Sequence, residues 1–70
     1  MEDQLREVET ITFRDLDSGD EAAFIIRSDS GCIGLATTLK EYGDVEVFVS
    51  IADCKRLLKA LEAAIAMAEP

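Results

Sequence analysis

Seventy residues carry 15 Asp or Glu against 7 Lys or Arg, a formal charge of −8, and no histidine. A chain this short makes one domain near the lower size limit for a self-sufficient core, and its 49% apolar content is too high for a disordered acidic tail. The acidic balance works against nucleic-acid phosphates and anionic lipid at long range, and it favours a basic protein or a cationic small molecule as partner.

Residues 1–7 are polar apart from Met1 and Leu5 and are expected to fray or to lead into a strand. They have neither the basic nor the apolar region of a secretory signal. No apolar run approaches the roughly 20 residues of a membrane span. With only Cys32 and Cys54 as thiols, a reduced cytoplasmic protein with no membrane partner is the expectation.

From Val8 to Asp15 the sequence alternates, with Ile11 and Phe13 on one side and Thr10, Thr12 and Arg14 on the other. This predicts a strand. Asp17–Asp20 is a turn by composition. Ala22–Ser28 predicts a second strand with apolar residues on both faces, and Asp29-Ser30-Gly31 a second turn. Cys32–Leu39 is a third strand, Lys40–Asp44 a loop, and Val45–Ser50 a fourth strand with clean alternation. The last twenty residues predict a helix. Cys54, Leu57, Leu58, Leu61, Ala64, Ile65 and Ala68 fall on one stripe of a 3.6-residue period. Ser50 suits the N-cap, with Asp53 three residues on.

Residues paired across strands share a face. Pairing Leu39 with Val45, Ile26 with Ile33 and Phe13 with Phe24 collects Ile11, Phe13, Phe24, Ile26, Ile33, Leu35, Leu39, Val45, Val47 and Val49 on one side. The helix stripe then has a surface to bury itself against, with Leu61 in the middle. A bulge at Gly31 would shift the second hairpin by one residue and turn Ile25 inward. The first register leaves Arg27 outside and is preferred. The expected fold is therefore α+β, a single β-β-β-β-α domain over residues 1–70: a four-stranded antiparallel meander with one C-terminal helix packed across one face.

Candidate site residues lie on the opposite sheet face and on the far side of the helix. The first surface carries Arg14, Ile25, Arg27, Ala36 and Phe48, with Gly34 leaving space beside Phe48. It is a place for a ligand or a second copy, or simply a partly solvated sheet face. The helix has a second row at Ala52, Arg56, Ala60, Ala63 and Met67, where small side chains permit close approach, or where alanine is only a good helix former. Lys55, Arg56 and Lys59 form the one basic cluster, with Asp53 and Glu62 close enough to pair with them. The crowded acids Asp15, Asp17, Asp20 and Glu21 match no calcium loop and read as a solvated turn.

Catalysis is not expected. Without histidine there is no general base near neutral pH and no Ser-His or Cys-His pair. Two isolated cysteines do not make a zinc site, and no cofactor is implied. Cys54 faces the core and Cys32 faces out, so no bridge between them is expected.

The fourth strand, VEVFVS, followed by the helix IADCKRLLKALEAAIAMAE, resembles the element order of the PC4-like single-stranded-DNA-binding coactivators. That resemblance implies a dimer and a strand-binding sheet surface that is basic and carries aromatics. Here the sheet offers Arg14, Arg27 and Phe48 within a charge of −8, whereas stacking platforms sit in a cationic groove. The stretch CIGLATTLKEYGDVEVFVS and the helix are also similar in style to small bacterial proteins, some carried on mobile elements. The function expected is a non-catalytic binding domain, a homodimer working through protein–protein contact, paired more readily through the outer sheet face at Phe48 than through the helix. A small-molecule pocket at that face or at the dimer interface is the alternative. Single-stranded nucleic-acid binding is third.

Overall fold

A computed structural model describes residues 5–40 and 43–70. The expected character of residues 1–4, and the Glu41-Tyr42 part of the third loop, lie outside the described residues. Four strands, β1 (Arg6–Arg14), β2 (Glu21–Asp29), β3 (Cys32–Leu39) and β4 (Gly43–Ser50), are followed by one helix, α1 (Ile51–Ala68). The sheet order is β1-β2-β3-β4 with every neighbour antiparallel. The α+β meander with its helix on one face is the fold that the alternation and periodicity predict.

Each hairpin pairs two residues away from the expected register. Phe13 lies opposite Ala22, Ile26 opposite Leu35, and Leu39 opposite Gly43. The turns decide this. Gly31, at φ +81°, lets Ser30-Gly31 close β2 onto β3 in two residues, with Asp29 opposite Cys32. A shift of two is even, so no side chain changes face. The inner row predicted from Ile11 to Val49 therefore stands as one face. Ile25 lies outward, opposite Ala36, as the preferred register had it, but the second hairpin takes neither that pairing nor the one with a Gly31 bulge. A bulge occurs elsewhere, between Glu7 and Glu9 in β1. It bends the end of an edge strand, a common protection against edge-to-edge pairing.

The first turn is held by its own polar groups. Asp15 N–H donates to Asp20 O at 2.9 Å and Gly19 N–H to Asp15 O at 2.8 Å. At the helix start, Ser50 Oγ accepts from Asp53 N–H at 3.0 Å, so the N-cap is as predicted. No loop separates β4 from α1. The helix is tethered at the β4 edge and touches β3 and β4 but neither β1 nor β2.

That placement overturns one expectation. The helix stripe was expected to be buried, yet α1 has no buried residue; Leu61 is 52% exposed and Leu57 40%. A helix about 10 Å across covers roughly two strands spaced about 4.8 Å apart. The inner face is left open beyond β1 and β2 as well: Val45 and Val47 on β4 are more exposed than Ile11 on β1 or Phe24 on β2. Only Ala22, Gly34 and Ala36 are buried among the described residues. The radius of gyration is 13.9 Å, where a compact chain of this length would have about 11 Å.

Candidate functional site

The described surface offers two places where side chains converge, one on each face of the sheet. On the outer face the cross-strand register sets Arg27, Gly34 and Phe48 in one row and Ile25, Ala36 and Glu46 in the next. Phe48 lies against β3 because Gly34 has no side chain. A Cβ there would stand 3.2 Å from the Phe48 ring and 3.2 Å from Glu46 Oε2. Arg27 Nη1 lies 3.5 Å from Glu46 Oε2, so its charge is already partnered. Ala36 is buried, Ile25 and Arg27 half-buried, and Phe48 57% exposed. The patch is one exposed aromatic ring beside an internal ion pair.

The other sequence candidates do not join it. Arg14 lies opposite Glu21, six residues and about 20 Å along the strand from Arg27, and donates from Nη1 to Gly19 O at 2.7 Å. It borders an open concavity of about 740 Å³ with Thr12, Glu21, Thr38, Lys40 and Asp44. Cations and carboxylates alternate around it, so it selects no single charge. Ala60 and Met67 sit exposed on α1 and line neither the outer patch nor the groove described next. Within the acidic turn, the Ser18 backbone N–H donates to Asp15 Oδ2 at 2.8 Å. That bond first, and the Ser18 hydroxyl second, hold the Asp15 carboxyl below the usual carboxylate range. No group of three or more metal-ligating side chains converges among the described residues.

The apolar feature is on the inner face. A groove of about 480 Å³ runs between α1 and the sheet, lined by Ile11, Phe24, Ile26, Leu35, Val45 and Val47 on one side and by Leu57 and Leu61 on the other. It adjoins a depression of about 400 Å³ walled by Phe13, Phe24, Leu39 and Val45. Phe13 and Phe24 stack across its floor with centroids 4.8 Å apart and planes 22° from parallel, an offset arrangement aromatic pairs favour. Scattered exposed apolar residues are normal on a protein surface; a contiguous trough is not.

Sequence reasoning placed the large apolar sheet residues of this trough on the correct face but counted them as core; Ala36, which it assigned to the outer face, also borders the groove. The signal that would have flagged it is geometric. Ten apolar positions spread over four strands are more than one eighteen-residue helix can cover.

No helix among the described residues is long and apolar enough to cross a membrane. The fold defines a class, a small antiparallel meander capped by one helix. No family model, curated protein or solved structure matches the chain.

Proposed function

We propose that this protein is a small acidic, non-catalytic binding domain that works as a homodimer through protein–protein contact, in a reduced cytoplasmic setting. The observation that carries this is the uncovered inner face. A chain that keeps Ile11, Phe24, Val45, Val47 and Leu61 exposed leaves in water the surface whose burial drives folding. Two-fold self-association is the commonest way to cover such a face. The outer face and the acidic surface remain free to meet a basic partner, and the exposed Phe48 ring is the kind of side chain that anchors such contacts.

Sedimentation velocity from about 1 to 100 μM, spanning micromolar affinities, tests the homodimer. A dimer across that range is expected. A monomer at the upper end would overturn it.

A second reading has its own observation, the volume of the groove. At about 480 Å³ with an almost wholly apolar lining, it falls in the size range of small-molecule pockets. A hydrophobic compound that raises the melting temperature in proportion to the logarithm of its concentration would favour that reading.

A further inference from the structure

We infer that the two copies join at the free edge of β4: it pairs antiparallel with β4 of the second copy about a two-fold axis at Val47, and the two helices lie side by side on one face of a continuous eight-stranded sheet. This rests on the homodimer proposed above and names the surface that makes it.

The two edges of the sheet differ. β1 carries the Glu7/Glu9 bulge, a device that keeps an edge from pairing. β4 carries none: its register with β3 runs unbroken from Ser50 opposite Cys32 to Gly43 opposite Leu39, and it contains neither Pro nor Lys. The turns decide which backbone groups it leaves unpaired. The two-residue turn at Ser30-Gly31 makes Asp29 and Cys32 a hydrogen-bonded pair. The first turn agrees, since the bond from Asp15 N–H to Asp20 O leaves Arg14 and Glu21 a non-bonded pair. Bonded and non-bonded pairs alternate along antiparallel strands. Gly43, Val45, Val47 and Val49 therefore turn their backbone groups to β3, whereas Asp44, Glu46 and Phe48 turn theirs to the free edge.

The uncovered apolar surface lies at the same edge. Of the large apolar sheet residues lining the groove, Val45 at 61% and Val47 at 51% are the most exposed, although α1 starts from β4. No described strand stands outside them. The chain has an accessible surface of 5782 Å², against about 4,300 Å² for a folded monomer of this mass. The excess, about 1,500 Å², is more than the roughly 800 Å² that each partner gives to a standard interface. With α1 over β3 and β4 and strands about 4.8 Å apart, a copy across this edge brings the two helix axes about 10 Å apart, the distance at which helices pack. The partner's helix then closes the groove on the side where Val45 and Val47 lie open.

Side chains choose the register. An axis at Val47 sets Val47 opposite the partner's Val47, Val45 opposite the partner's Val49, and Glu46 opposite the partner's Phe48. The free backbone groups of Glu46 and Phe48 then meet in hydrogen-bonded pairs. An axis at Glu46 would oppose two glutamates, and one at Val45 would oppose Glu46 to the partner's Asp44, like charges directly across the strands. An axis at Phe48 would pair residues 46–50 alone.

Cross-linking tests the axis and proline tests the backbone. In a Cys32→Ser, Cys54→Ala background, Val47→Cys should form a covalent dimer on mild oxidation. A non-bonded pair stands about 4.5 Å apart between Cα atoms, within reach of a disulfide. Val45→Cys should not cross-link, because its two copies stand about 14 Å apart along the strands. Glu46→Pro removes an N–H that β3 does not use, and edge strands tolerate such a proline. It should keep the circular dichroism of the wild type yet sediment as a monomer at about 100 μM, far above a micromolar dissociation constant. Glu46→Ala, which loses the same side chain and keeps the N–H, should remain a dimer. A folded Glu46→Pro that still dimerises, or a dimer that Val47→Cys does not cross-link, would overturn the edge pairing; a wild-type dimer in the same runs would leave the homodimer itself standing. A wild-type monomer at about 100 μM would remove both and leave the edge to an extended segment of another protein.

Discussion

Leu61→Ala separates a chain that is complete by itself from one that needs its copy. A leucine sealed in a core costs about 2–5 kcal/mol when cut to alanine. Leu61 is 52% exposed in the single chain. A lone monomer should therefore lose about half of that, about 1–2.5 kcal/mol, at every protein concentration. If the second copy seals the groove, the loss rises to the full range per chain, and it adds to a stability that already depends on concentration. Urea melts of wild type and variant at about 1 and 100 μM read both quantities, because the midpoint of a dimer moves with concentration and that of a monomer does not. The result that refutes the reasoning is a loss below about 0.5 kcal/mol at the higher concentration, small for any buried leucine, or a wild-type midpoint that ignores concentration.

Ser50→Ala removes the acceptor for the Asp53 N–H and should cost about 1 kcal/mol, read from denaturant melts as a shift of midpoint with an unchanged slope. Asp15 is held below the usual carboxylate range by Ser18, so its contribution to the turn is present above the unfolded carboxyl pKa and is lost as pH falls through the folded one. A carboxyl-resolved NMR titration should find Asp15 below the usual carboxylate range, and Ser18→Gly, which removes the hydroxyl but keeps the backbone donor, should recover only part of the shift. With a charge of −8 and Arg27 already paired to Glu46, the protein should leave a labelled single-stranded oligonucleotide free at physiological salt. Micromolar binding in fluorescence anisotropy, weakening steeply as salt is added, would restore strand recognition as a function.

Sequence alone determined which residues share a face, since that depends only on periods of 2.0 and 3.6 and on where Gly, Asp and Ser break them. Ile11, Phe24, Leu35 and Val47 could be placed on one side of a sheet, and Leu57 and Leu61 on one side of a helix, without coordinates. The exact partners could not be placed, because a slip of two residues conserves every face; the two-residue turn at Ser30-Gly31 chose among the registers. Nor could the outer patch be separated into its parts. Arg14 and Arg27 look alike in a list, but strand rise sets them about 20 Å apart, and only the register brings Glu46 to Arg27. Above all, periodicity says that a stripe is apolar but not whether anything covers it. That was decided by the direct join of β4 to α1, which pins the helix over β3 and β4. A single helix is too narrow for four strands, and one that buries none of its own residues leaves even Val45 and Val47 of β4 exposed.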